Sequence, residues 1–210
     1  TFYTGGLLVS NSQADLCYIG FFSAERGEYN SFSNIRAINC EYGAYIIAGN
    51  NAFSNIQFES NRTGMYYGTG VNPGKSSVTG GSINHSLDKG LDINGLTFGQ
   101  NFYGVQIQVN DIYILNSDAV QFLNCDIGST VISVTNSTNT NFKQCKFIIT
   151  PTTFTGLSIC LFSSTEWLAT PPTGFTDKNE QPLEVLGSVT ATAHVTTGGL
   201  ASQFVKGDGS

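Results

Sequence analysis

Charge is scarce in this chain: Asp, Glu, Lys and Arg make up 11% of 210 residues, with 9 Lys+Arg against 15 Asp+Glu and a net charge of −6. No basic cluster occurs anywhere, so the electrostatic footprint of a nucleic-acid binder is missing. There are only 2 histidines. His85 and His194 lie far apart in sequence, and neither has a Cys or carboxylate at ligand spacing, so no metal site and no cofactor are predicted. No G-x-S-x-G, no H-E-x-x-H and no convincing Ser/His/Asp or Cys/His set is present, which excludes the common nucleophile motifs. No apolar run approaches the ~20 residues of a membrane-spanning helix, so no membrane insertion is expected. The N-terminal "TFYTGG" reads neither as a signal peptide nor as a natural start, and the expectation is a fragment of a longer protein.

What is present is glycine (24), aromatic residues (12%) and many Asn, Ser and Thr. That composition favours strands and turns over helices, and the length suits one well-cored domain with a small second piece. One stretch imitates a phosphate-binding loop: "YYGTGVNPGKSS", residues 66–77. Counting back from Gly74-Lys75-Ser76, the loop's first glycine should fall at 69, where Thr stands. Pro73 also removes a backbone donor from the cradle, and no helical period follows. The stretch reads as a corner loop between strands.

Internal repetition indicates the architecture. "NSFSNIRAINCEYGAYII" (positions 30–47) and "NAFSNIQFESNRTGMYYG" (positions 51–68) align with Phe32 over Phe53, Asn34 over Asn55, Ile35 over Ile56, Gly43 over Gly64 and Tyr45 over Tyr66, every pair at the same spacing. "GLTFGQNFYGVQIQ" extends the theme with Leu96, Phe98, Gly104 and Ile107 set over Ile56, Phe58, Gly64 and Tyr67. Val120, Phe122 and Phe142 carry it further, and Val78 is set over Ile56. A period of roughly 20 to 24 residues, made of short alternating strands with Asn and Gly at the corners, is that of a parallel β-solenoid. The fold expected is all-β: a right-handed parallel β-helix over residues 1–150, a small β-rich segment over 151–198 that assembles between chains, and a linker over 199–210 to a further region. Ile35, Ala37, Ile56, Phe58, Leu96, Phe98, Val120 and Phe122 should fill the core.

Five cysteines is an odd count. Cys40, Cys125 and Cys145 are assigned to one repeat position, and stacked in-register strands present poor disulfide geometry, so buried free thiols are expected. On the outside, one column is expected to hold Glu41, Arg62, Phe102, Asp126 and Lys146, whose opposite-sign neighbours make inter-coil ion pairs. A second column holds Tyr45, Tyr66, then Asp92 or Asp88, then Gln106. Two tyrosines one coil apart form a flat amphipathic platform, with Arg62 and Gln106 as polar flanks able to hold sugar hydroxyls; the same pattern also describes an ordinary aromatic ladder. Asp88, Asp92 and Glu59 are the candidate catalytic carboxylates, since glycosidic cleavage by paired acids needs two of them at a defined separation.

The repeats over residues 32–149 resemble the right-handed parallel β-helix of the pectate-lyase-like group, which includes tailspikes and other appendages of bacterial viruses. "TTGGLASQFVKGDGS" (residues 196–210) is similar to a Gly-Gly-x-x-Ser-Gln-Phe-x-Lys-x-Asp-Gly-Ser segment that recurs in phage tail-fibre proteins. The resemblance implies a homotrimeric protein of the virion tail, in contact with other tail proteins. Such a protein acts outside the host cell, binding and in some members cleaving a bacterial surface polysaccharide. The calcium-binding Asp cluster and catalytic Arg of the lyases map onto no set of positions in this chain. Three readings therefore remain: a polysaccharide-binding module, a polysaccharide hydrolase or lyase, and a structural shaft.

Overall fold

The computed structural model describes residues 6–24, 27–68, 75–97, 99–108, 111–156 and 160–173. Every strand pairing in it is parallel, and the strands stack as a β-solenoid of about seven turns. The first four coils each consist of a long strand and a short one: β1 (Leu8–Asp15) with β2 (Ile19–Ser23), β3 (Ser31–Ile38) with β4 (Tyr42–Ile46), β5 (Ala52–Glu59) with β6 (Thr63–Tyr67), and β7 (Ser76–Asn84) with β8 (Lys89–Asn94). From the fifth coil the long strand divides in two. The order becomes β9 (Gln100–Tyr103), β10 (Gln106–Gln108), β11 (Ile112–Leu115), then β12 (Val120–Leu123), β13 (Asp126–Gly128), β14 (Val131–Thr135), then β15 (Thr140–Lys143), β16 (Lys146–Phe147), β17 (Thr153–Thr155), then β18 (Cys160–Ser163) and β19 (Glu166–Trp167). Long strands and their divided equivalents form one sheet; β2, β4, β6, β8, β11, β14 and β17 form the other.

Parallel in-register pairing stacks equivalent side chains at the inter-strand spacing of about 4.8 Å, and the core is built from such columns. Val9, Phe32, Phe53, Val78, Phe102, Phe122, Phe142 and Phe162 make one. Its last four rings stack in nearly parallel planes, with centroids 5.0, 4.8 and 5.2 Å apart. Ala37, Phe58, Ile83, Ile107, Ile127, Phe147 and Trp167 make a second. Phe21, Ala44, Met65, Leu91, Ile112, Ile132 and Phe154 face them from the other sheet.

Between the two halves of each long strand one residue adopts the left-handed conformation: Asn11, Asn34, Asn55, Gly80, Gly104, Asn124, Gln144 and Ser164, with φ from 49° to 64°. Asn tolerates this region better than most residues. The asparagines also stack, Asn55 Nδ2 donating to Asn34 Oδ1 and Asn34 Nδ2 to Asn11 Oδ1, both at 3.1 Å. Gly81 follows with φ 93°, and a Cβ there would run into the Ile56 backbone.

Most of the expected interior is buried: Ile35, Ala37, Ile56, Phe58, Leu96, Val120 and Phe122 are at most 2% exposed. Phe98 lies outside the described residues. The register from residue 78 onward differs from the sequence reading. Val78 pairs with Phe53, and Gly81 takes the place over Ile56. Phe102, expected outside, is fully buried over Val78. The steps from Phe53 to Val78 and from Val78 to Phe102 are longer than those before them, and the steps from Phe102 through Phe162 are shorter and equal. Two long coils in the middle of the repeat defeat an alignment that assumes a near-uniform period. The solenoid also continues past residue 150, since β17, β18 and β19 pair in register with the coil before. Residues 174–210, which hold most of the expected C-terminal segment and linker, lie outside the described residues, as do 69–74 of the corner loop.

All five cysteines are free. Cys125 and Cys145 stack with Val105 and Thr165, while Cys40 sits at a different corner over Cys17, where its N–H donates to Asn61 Oδ1 at 2.9 Å. One repeat position for Cys40 and Cys125 is thus corrected to two. Burial pushes the Cys160 thiol up to about 12. Thiol labelling of the native protein near pH 8 should modify Cys17, which is exposed, and spare the other four until denaturant is added. Fast native labelling of Cys125 or Cys145 would contradict the buried stack.

The Tyr67 hydroxyl is fully buried with no hydrogen-bond partner among the described residues. Burial holds its phenol well above the usual tyrosine value. Because burial disfavours only the phenolate, the group makes no pH-dependent contribution below the unfolded pKa of about 10 and lowers stability as pH climbs toward the folded value. Tyr67→Phe should therefore raise stability near neutrality by about 1 kcal/mol, because it removes an unsatisfied buried group, and should flatten the alkaline limb of the denaturation curve. A destabilised Phe variant would mean the hydroxyl is satisfied.

Candidate functional site

The second sheet carries its inner column at Phe21, Ala44, Met65 and Leu91, so the alternate residues face out. Those residues are Phe22, Tyr45, Tyr66, Asp92, Tyr113, Ser133 and Thr155, in register through seven coils. Tyr45 and Tyr66 lie with centroids 4.5 Å apart and their planes tilted by 32°, and Phe22 leans on Tyr45 at 5.9 Å. Tyr42 stands edge-on to this ladder, 5.1 Å from Tyr45 at 87° and 6.0 Å from Tyr66 at 66°, with Tyr18 edge-on to Tyr42 beyond it. A glycine follows the first residue of each of the first four strands of this sheet. A Cβ on Gly20, Gly43 or Gly64 would come within 2.7, 2.5 or 2.6 Å of the carbonyl of the next glycine, Gly43, Gly64 or Gly90. A side chain at any of these positions would therefore collide with the next coil.

Beyond Tyr66 the surface becomes charged. Lys89 Nζ donates to Asp92 Oδ2 at 2.7 Å and lies 5.0 Å from the centroid of the Tyr113 ring. These three residues, with Leu115, Ser133 and Thr135, line a groove of about 250 Å³. Burial works against the Lys89 ammonium, but the hydrogen bond and charge of Asp92 outweigh it and lift its pKa. Burial raises Tyr66, as do Tyr45 and Asp92 beside it; burial raises Tyr42, with Tyr18, Glu41, Tyr45 and Asp92 adding to it. The face is therefore a strip of half-buried rings under a negative field. A hollow of about 320 Å³ on the other sheet, lined by Gln121, Leu123, Asn141, Lys143 and Leu161, is larger but presents no exposed ring.

The structure brings Tyr45, Tyr66 and Asp92 into one column, as the repeat alignment expects, and resolves the choice between Asp92 and Asp88. Asp88 instead stacks over Arg62, which bridges Glu41 at 3.3 Å and Asp88 at 3.9 Å. Gln106 does not continue the tyrosine column: it lies on the other sheet between Ser82 and Asp126, and Tyr113 takes the place assigned to it. Glu59 is also on the other sheet, paired with Arg36 at 3.4 Å. Asp126, Lys146 and Glu166 form their own column beside Gln106. The repeat alignment does not single out Tyr42, Phe22, Lys89 or Tyr113, although Tyr42 shares its short strand with Tyr45. No group of three or more His, Cys, Asp or Glu among the described residues is arranged to hold a metal ion. Compared with known proteins, the chain matches no family, no curated sequence and no solved structure.

Absorbance titration of the tyrosines should detect this arrangement. Asp92→Asn removes a nearby negative charge, so the midpoints of Tyr42 and Tyr66 should fall, read as differences against Tyr42→Phe and Tyr66→Phe backgrounds. Midpoints unchanged by Asp92→Asn would separate the carboxylate from the rings.

Proposed function

We propose that the chain is a polysaccharide-binding module, with the Phe22–Tyr45–Tyr66 ladder and the Lys89–Asp92–Tyr113 groove as its binding face. The observation that carries the reading is a run of outward rings repeating at coil spacing on a rigid sheet and ending in a polar groove. Tyrosine offers an apolar face and a hydroxyl at one end, which suits the alternating apolar and hydroxylated faces of a pyranose. A pre-formed platform avoids the ordering cost of binding. The virion tail appendage implied by the β-helix repeats and by residues 196–210 supplies the setting: a homotrimer bound to other tail proteins, with a bacterial surface polysaccharide as the ligand.

Binding is favoured over cleavage by how the carboxylates are engaged. Asp92 is paired with Lys89, Asp88 with Arg62, and Glu59 with Arg36 on the other sheet. Glycosidic cleavage by two acids requires both to flank one bond, about 5 Å or 6.5 to 9.5 Å apart, and Glu59 lies on a different sheet from Asp92.

Tyr66→Ala should weaken retention on host capsule or lipopolysaccharide several-fold, consistent with a ring contact of about 1 kcal/mol beyond lost area, and should leave the far-ultraviolet spectrum intact. The Asp88, Asp92 and Glu59 amide variants should leave chain length of the polysaccharide unaffected, as should the parent protein. Chain shortening by the parent that an amide variant abolishes would establish the enzymatic reading instead.

A further inference from the structure

We infer that the sheet formed by the long strands holds a second saccharide subsite, specific for 2-acetamido sugars, in which the ligand's acetamide continues the asparagine ladder where two glycines interrupt it. The subsite is separate from the tyrosine face and does not depend on it. Along the bend, Asn55 donates to Asn34 and Asn34 to Asn11. Gly80 and Gly104 occupy the next two positions, and polar side chains resume at Asn124. Backbone conformation does not account for these glycines. Their φ values are 64° and 60°, and Asn, Gln or Ser holds the same region at the other six bend positions, with φ from 49° to 52°. Crowding does not account for them either: a Cβ at Gly104 would meet nothing within 4 Å, and one at Gly80 only Asn55 Oδ1, at 3.3 Å. The glycines leave open space two coils tall. At its foot stands an amide oxygen, Asn55 Oδ1, that accepts no hydrogen bond among the described residues.

This space adjoins a groove of about 360 Å³ lined by Asn34, Arg36, Asn55, Gln57 and Gly81. Arg36 is paired with Glu59 at 3.4 Å, so the groove is close to neutral and offers no unpaired charge to a uronate or an ammonium group. Its side-chain amides both donate and accept, which suits sugar hydroxyls. Tyr103, the residue before Gly104, stands exposed in register over Thr79 and supplies a ring for an acetyl methyl or a pyranose face. The ligand that fits is therefore uncharged and rich in hydroxyls, and carries an N–H to give to Asn55 Oδ1. A 2-acetamido sugar has all three properties. A peptide strand is disfavoured, because the long strands here are already hydrogen-bonded to a neighbour on each side and leave no edge to extend.

The test titrates the intact chain with a β-1,4-linked N-acetylglucosamine tetramer and with cellotetraose, which has hydroxyls in place of the acetamides. The acetamido tetramer should bind about fivefold tighter, the effect of one ordinary hydrogen bond. In the parent protein it alone should shift the Asn55 side-chain amide resonances. Gly80→Asn supplies the missing amide from the chain itself, at a position whose backbone suits asparagine, and should erase the preference with the far-ultraviolet spectrum unchanged. Gly104→Asn, which fills the space from the next coil, should do the same. Tyr66→Ala should leave the preference in place, since that ring is on the other sheet. Equal affinity for the two tetramers in the parent overturns the inference. A preference that both asparagine variants retain overturns it too, and its loss in Tyr66→Ala would assign the acetamide to the tyrosine face instead. Competition by N-methylacetamide as strong as by the tetramer would overturn the assignment to a sugar.

Discussion

Parallel, in-register hydrogen bonding between successive coils is the constraint on which everything else depends. It places each residue about one strand spacing from its equivalents above and below, so the properties of a column are those of one residue type repeated. Inside, the consequence is phenylalanine on phenylalanine, at 4.6 Å for Phe32 and Phe53 and 4.8 Å for Phe122 and Phe142. At the bend it is asparagine on asparagine, each side-chain amide donating to the next. Some buried polar side chains stack by the same rule: Asn51 Oδ1 accepts from the Asn30 N–H, and Ser137 Oγ from the Ser117 N–H. These groups satisfy backbone donors where the chain turns, which is why they can be buried without loss.

Stacking like on like is favourable for rings and amides and unfavourable for charges. That explains both how few charges the chain carries and how they are arranged. Glu41, Arg62 and Asp88 alternate in sign along one column, and Asp126, Lys146 and Glu166 along another. Asp92 avoids a charged column altogether by sitting between two tyrosines and taking Lys89 from its own strand. The outer face that results is neither a charged surface nor an apolar one. It is a ladder of amphipathic rings with carboxylates at its margin.

Much of this is legible without coordinates. The match of positions 30–47 to 51–68 contains Phe32 over Phe53 and Tyr45 over Tyr66, and both pairings hold. The reading fails where coil length changes. The loop between β6 and β7 lengthens one coil, and a further irregular coil follows, so the repeat puts Phe102 on the surface although it continues the Phe53 column. Once that register slips, Gln106 drifts into the tyrosine column and Cys40 appears to match Cys125. Alternation alone does not correct this, because a stretch such as "TFGQNFYG" offers two phenylalanines, Phe98 and Phe102, and an inward phase fits either. Within the site, Tyr45 and Tyr66 are visible as a repeat. Lys89 and Tyr113 are not, since their roles come from pairing across coils whose register is lost.

The register of the outer column is thus the point on which fold and site both rest. Backbone nuclear Overhauser contacts between β4, β6, β8 and β11 in a deuterated sample test it directly. The account predicts contacts linking Tyr45 to Tyr66, Tyr66 to Asp92 and Asp92 to Tyr113. Contacts linking Tyr66 to Asp88, or placing Gln106 next in that column, would contradict it and dissolve the binding face built on these residues.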